Sequence, residues 1–218
     1  MVVFVLIKIA VELLFFQDFT NLKRLLPTIV EHVDLIFAID GRNWTDKQYH
    51  EESTDGSCEL LSSYDNVELL TIHDYEWHKR QRVTELCRFH GFSNLIIIDS
   101  DEYAVGNWEI FKQNWQKAIK IDTSNHGIYK TQIQRLDSTP QEPIYYWHPV
   151  LWHRPWEFRY QGRHDYFKRN NETSTHYIRS YQNVEGIKLN HNHLLRTPEH
   201  MNMRLKQLEW YQKVDKPL

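Results

Sequence analysis

Leu95-Ile96-Ile97-Ile98-Asp99-Ser100-Asp101-Glu102-Tyr103 is the stretch on which the reading of this 218-residue chain turns. Four apolar residues with strand preference run directly into three carboxylates. Such charges repel one another where backbone pairing stops, and a divalent cation is their natural partner. A solvated acidic turn is the alternative, since a D-x-D pattern is short and common. Its position at the end of a buried strand favours a site.

Working outward, the first half alternates strand-like and helical segments. Val2–Ile9 reads as a buried first strand, and Asp18–Glu31 is helical, with Leu22, Leu25, Leu26 and Ile29 on one face. Asp34–Ile39 is a second strand, ending at Asp40-Gly41. Asp46–Ser63 is polar with one short helix, and Val67–Ile72 is a third strand. Glu76–His90 has helical spacing in Val83, Leu86 and Cys87, with Gly91 as its stop, and Asn94–Ile98 is the fourth strand. Alternation of this kind implies a single α/β domain with a mainly parallel, mixed central sheet flanked by helices. Ligands of such sheets bind beyond the carboxyl ends of the strands, so Asp40 and Asp99–Glu102 share one rim. In the second half, Trp108–Ile121 reads as a helix and Gly127–Leu136 as a strand. Ile144–Trp156 is crowded with aromatics, Tyr177–Val184 and Ile187–Leu189 add strand, and Pro198–Val214 reads as a terminal helix. No repeat, low-complexity run or linker divides the chain.

Composition narrows the function classes. Hydrophobic residues make up 41% and charged residues 25%, as in soluble globular proteins. A net charge of -3 gives no long-range attraction to nucleic acid or acidic membranes, and no nucleic-acid partner is expected. Cys58 and Cys87 are too few for a disulfide framework and too far apart in sequence for a short-spaced zinc pair, which points to a reducing, cytoplasmic setting. Met1–Phe16 is apolar, but it is shorter than the ~20 residues of a membrane-spanning helix. Lys8 and Glu12 interrupt it and no small-residue cleavage site follows, so a strand is expected there rather than a leader or an integral membrane segment.

IIIDSDEY resembles the D-x-D-E motif of family 2-like glycosyltransferases with the GT-A fold. IFAIDGRNW resembles their second strand, whose terminal acid contacts the nucleotide base, here Asp40. HKRQRVTEL resembles a helical segment that places an arginine near base and diphosphate, here Arg82 or Arg80. Arginine suits phosphate because its planar fork donates paired hydrogen bonds. The resemblance implies one Rossmann-like GT-A domain over 1–218, with residues 1–103 binding the nucleotide-sugar and 104–218 the acceptor. It further implies Mn²⁺ or Mg²⁺ at Asp101 and Asp99, with Asp99 holding either the metal or the donor ribose. The donor would be a UDP-, GDP- or dTDP-sugar, and the acceptor a hydroxyl of a glycan or another molecule. The first strand departs from the pattern: Ile7-Lys8-Ile9-Ala10-Val11-Glu12 replaces the usual proline and asparagine, with Ala10 and Glu12 near the expected contact.

Further segments complete the expected site. Tyr160-Gln161-Gly162-Arg163-His164-Asp165-Tyr166 resembles the segment carrying the base of such enzymes. Asp165 would take the acceptor's proton, with His164 orienting it, and direct attack would invert the anomeric carbon. The same composition also suits a surface turn. His191-Asn192-His193 resembles a late histidine position that joins the D-x-D acid on the metal, and either His191 or His193 would serve. Thirteen histidines also make chance pairs common. Arg196 lies in a stretch suited to a loop over the diphosphate or to a solvated helix start at Pro198. Tyr145 through Trp156 would form either a sugar-stacking wall or core packing. The rival enzyme class is a metal-dependent phosphoryl- or nucleotidyl-transfer enzyme. Haloacid dehalogenase phosphatases, however, carry D-x-D at their first strand, and sugar nucleotidyltransferases carry an early Gly-rich loop that this chain lacks. The non-enzyme rival is a nucleotide-sugar or carbohydrate-binding module, which needs no positioned base.

Overall fold

The computed structural model describes residues 7–41, 52–121, 127–135, 144–161, 163–169 and 182–191. In chain order these form β1 (Ala10–Phe15), α1 (Phe19–Ile29), β2 (Leu35–Asp40), α2 (Ser57–Ser62), β3 (Val67–Thr71), α3 (Glu76–His90), β4 (Asn94–Asp99) and β5 (Glu102–Gly106). There follow α4 (Trp108–Ile121), β6 (Gly127–Arg135), β7 (Ile144–His153), a 3-10 turn (Pro155–Glu157), β8 (Phe158–Gln161), β9 (Arg163–Arg169) and β10 (Asn183–His191). The expected terminal helix at Pro198–Val214 lies outside the described residues.

Eight strands form one mixed sheet in the order β3-β2-β1-β4-β7-β6-β10-β5, and β8 and β9 form a separate hairpin. The strands β3, β2, β1 and β4 run parallel. The chain steps outward from β1 to β3, then returns to the other side of β1 with β4. That reversal is the topological switch point of an open α/β sheet, where a crevice opens at the carboxyl ends. Helices cover both faces, as alternating strands and helices require. Leu22, Leu25, Leu26 and Ile29 of α1 pack on one face with Val11, Leu13, Ile36, Ala38, Ile96 and Ile98. Val83 and Cys87 of α3 pack on the other with Ala10, Leu14, Phe37, Ile39 and Leu95.

The first strand is displaced from its sequence expectation. It spans Ala10–Phe15, all buried, rather than the expected Val2–Ile9, and residues 1–6 lie outside the description. Glu12 reads in sequence as an interruption of an apolar run. In the fold it lies in the middle of β1, fully buried, because Arg80 supplies a charge partner across from it.

Between β4 and β5 there are only two residues, Ser100 and Asp101, yet three strands separate them in the sheet. Four inter-strand steps of a flat sheet would cover about 19 Å. Two linking residues reach only about 11 Å. The sheet is therefore curled, and β5 lies against α1. The Ala104 amide donates to Thr28 Oγ1 at 3.1 Å, and the Trp108 indole donates to the Thr28 carbonyl at 3.0 Å.

A close approach between backbones also packs β10 against α4. Gly186 of β10 has φ +128°, and a Cβ there would lie 2.4 Å from the Phe111 amide nitrogen and 2.5 Å from its Cα. Neither backbone atom can swing away as a side chain would. Gly186→Ala is therefore expected to cost about 2–4 kcal/mol in urea unfolding, combining left-handed strain with overpacking. Because β10 also carries His191, the same variant tests how tightly fold and site are joined.

Candidate functional site

The two acidic strand ends foreseen on one rim are there, but their side chains leave by opposite faces. Register pairs Phe15 with Asp40 and Leu14 with Asp99. Asp40 thus turns toward α1 and α2, and Asp99 toward α3. The Asp40 carboxylate is buried and accepts from the Gly41 amide (2.8 Å), the Ser53 amide (2.8 Å) and the Ser53 hydroxyl (2.6 Å). The Cys58 thiol reaches it at 3.4 Å, and burial together with Asp40 pushes that thiol up to about 12. These bonds fasten segment 53–58 over the end of β2.

The face toward α3 is unusual for a helix against a sheet. Its buried stripe, at helical spacing, is Glu76, Lys79, Arg80, Val83, Thr84 and Cys87, so the first turn and a half is charged. Lys79 donates to the Gly41 carbonyl at 2.8 Å, and burial lowers its amine to about 8. Arg80 directs its guanidinium to three carboxylates from three elements. Nη1 donates to Glu12 at 2.5 Å, Nε to Glu76 at 2.9 Å and Nη2 to Asp99 at 3.1 Å. Arg82, two residues on, faces outward. It pairs with Glu85 at 2.8 Å and lines a shallow groove of about 370 Å³ with Ile72, Asp74 and His78. Helical geometry separates the two arginines by about 200°, so one helix cannot bring both to one ligand.

Asp101 is brought to a residue ninety positions away. Antiparallel pairing of β5 with β10 sets His191 opposite Glu102. His191 Nε2 then lies 3.0 Å from Asp101 Oδ2, with the Asp101 side chain fully buried and His191 11% exposed. Between them and the switch point, the Ser100 hydroxyl donates to Asp18, the residue preceding α1. Glu102 is buried, accepts from the Asp99 amide at 3.0 Å, and is held well above the usual carboxylate range by burial and by Asp99 and Asp101. The acid turn thus sits at the crevice between β1 and β4.

No family model matches the sequence, and no curated protein matches it. Among solved structures the chain is similar to S. aureus TarS residues 1–349, at 14% identity over 62% of this chain and 38% of that one, with a TM-score of 0.44. The same protein in complex with UDP-GlcNAc aligns at 14% identity over 62% and 37%, with a TM-score of 0.43. The mannose-1-phosphate geranyltransferase from Thermus thermophilus aligns at 10% identity over 67% and 57%, with a TM-score of 0.40. The chain therefore spans less than two thirds of each of these structures. Likeness of this degree assigns no activity and no residue role to this chain.

Among the described residues, no group of three or more His, Cys, Asp or Glu side chains gathers as a metal cage. The Asp101–His191 pair nonetheless suits a small divalent ion. Adjacent ligands of an octahedral ion at about 2.1 Å are about 3 Å apart, which matches the separation of this pair. Mg²⁺ in particular is commonly held by one or two protein ligands, with water and substrate phosphate completing the set. Asp99, two residues before Asp101, is 46% exposed and leans toward Arg80. His193 and Arg196 lie outside the described residues. Asp165 lies in β9, within the hairpin that packs on α3, so its segment is strand rather than turn. No helix among the described residues is long and apolar enough to cross a membrane.

Sequence reasoning missed Glu76 and Lys79, and it placed Glu12 near a nucleotide contact rather than against Arg80. Two signals were present: a lone acid in an apolar strand, and a helix whose inward stripe begins with charged residues.

Proposed function

We propose that this chain is a metal-dependent transferase of the GT-A kind, moving a sugar from a nucleotide-diphosphate donor to a hydroxyl acceptor. The observation that supports the reading is the buried Asp101–His191 pair, assembled beside the β1–β4 switch point from segments ninety residues apart. Asp101 and His191 would hold Mn²⁺ or Mg²⁺, which when bound neutralises charge growing on the diphosphate leaving group. Asp99, half-exposed on the same rim, adds a carboxylate for the metal or the donor ribose. Asp40 shapes the nucleotide side of the crevice through the 53–58 segment, while Arg80 orients the acids. Arg82, from its outward groove, or Arg196 would supply a cation to the donor phosphate. Asp165 takes the acceptor proton, and the reaction inverts the anomeric carbon.

Calorimetry with UDP-, GDP- and dTDP-sugars, with and without Mn²⁺, tests the reading directly. One donor class is expected to bind at least tenfold tighter with Mn²⁺ present. Absence of any metal-dependent binding sinks the proposal, and binding without hydrolysis or transfer favours a non-catalytic module. Asp165→Asn is expected to lose about 100-fold or more in transfer, given the 10²–10⁴-fold contribution of a positioned base, with donor affinity retained. Full transfer by that variant removes Asp165 from the role.

A further inference from the structure

Glu12 occupies a position where the fold asks for an apolar side chain. It stands between Ala10 and Leu14 on a fully buried strand, facing the core that α3 covers. Its Oε1 meets Arg80, and its Oε2 has no hydrogen-bond partner among the described residues. Exchanging a buried ion pair for apolar residues is often neutral or stabilising, so stability alone gives little reason for this acid. Arg80 needs one carboxylate to be neutralised, and it has three.

We propose that Glu12 is a positioning residue that acts through Arg80 on Asp99, keeping the rim carboxylate net negative and available to a divalent cation. The inference rests on the functional reading above. The three contacts of the guanidinium lengthen from the buried end to the rim: 2.5 Å to Glu12, 2.9 Å to Glu76 and 3.1 Å to Asp99. Glu12 and Glu76 thus share the guanidinium with Asp99, which does not offset its charge alone. Without the charge on Glu12, Arg80 would neutralise Asp99 more completely and the rim would lose attraction for a cation. The ionisable groups facing Glu12 are Glu76, Arg80 and Cys87 from α3 and Asp99 from β4, while β2 presents Phe37 and Ile39. Burial, partly offset by Arg80, raises Glu12 to about 7, so its charge is present above neutrality and fades below it.

The test is the binding of Mn²⁺ alone to the full chain, followed by the loss of the free-ion electron paramagnetic resonance signal. At pH 8, Glu12→Gln is expected to bind Mn²⁺ about fivefold or more weakly than wild type, a Coulombic effect of one missing charge. Its thermal midpoint is expected to be no lower, because a neutral amide replaces a buried carboxylate. At pH 6 the ratio of the two affinities should shrink toward one, since wild-type Glu12 then carries a proton. Glu76→Gln removes a charge from the same guanidinium and is expected to shift affinity in the same direction. Wild-type affinity in both variants overturns the positioning role while leaving the metal site standing. Loss of affinity only together with loss of folding in both variants also overturns it, assigning Glu12 to stability. No Mn²⁺ binding by the wild type overturns both this inference and the functional reading.

Discussion

Asp101→Ala is expected to lose Mn²⁺-dependent donor binding by about 100-fold or more while remaining folded. Removing an outer-shell partner of a metal site typically costs about 10–100-fold in affinity, and Asp101 is assigned as a ligand itself. The folded state should tolerate the change. Asp101 sits in a two-residue link rather than in the sheet, and its carboxylate faces the His191 imidazole. Calorimetry with the preferred donor, in Mn²⁺ and in chelator, separates the outcomes. Wild-type and variant should coincide in chelator and diverge in Mn²⁺. Equal affinity in Mn²⁺ would remove Asp101, and with it the whole rim, from the proposed chemistry.

Arg80→Ala should have the largest effect on stability. The side chain is 4% exposed and is the common partner of Glu12, Glu76 and Asp99. Removing one member of a buried pair leaves an uncompensated charge, at a cost of about 3–5 kcal/mol. That is a large part of the roughly 5–15 kcal/mol that holds a typical domain together. The loss should depend on pH in a definite direction. The folded-state value of Glu12 is already raised from 4.5 to about 7 with Arg80 present, and it rises further without it. A carboxyl raised on folding contributes stability that is complete below its unfolded value and is lost as pH climbs through its folded value. Urea unfolding should therefore show the variant most damaged at pH 8 and partly restored near pH 5. A loss below about 1 kcal/mol at pH 8 would mean that the three acids find other partners.

These two residues also mark how far sequence reading reaches. Asp101 is legible because a strand of β-formers ending in acids is a local pattern, and local patterns survive in a one-dimensional string. The helix Glu76–His90 is legible to the residue, since Gly91 ends it with φ 75° and the Phe92 amide returns to the Cys87 carbonyl at 2.8 Å. Trp108–Ile121 reads equally well. Arg80 stands out in sequence as a candidate, but for direct contact with the nucleotide, because nothing in its neighbourhood of sequence reveals Glu12, sixty-eight residues earlier. The first strand is misplaced by the same blindness: Glu12 looks like a break until its partner is known. Glu102–Gly106 is not foreseen as a strand, since its pairing partner is Ile187–His191 and the register between them is a tertiary fact. The sequence places Asp40 and Asp99 on one rim, and the parallel register delivers it. That they leave by opposite faces follows from counting alternation along each strand, a count that needs strand ends more sharply than sequence defines them.

The two-residue passage from β4 to β5 has a consequence for the order in which the molecule assembles. The acids at Asp99 and Asp101 are in place as soon as the first four strands and their helices have formed, largely from neighbours in sequence. His191 arrives only when β10 threads between β5 and β6, closing a loop of ninety residues. Contacts of such separation carry a high chain-closure entropy and form late. A chain still emerging from the ribosome therefore displays the acids long before it can complete the pair. Cation binding at this pair, as proposed, would thereby be tied to the last event of folding, so that only the finished molecule would acquire it.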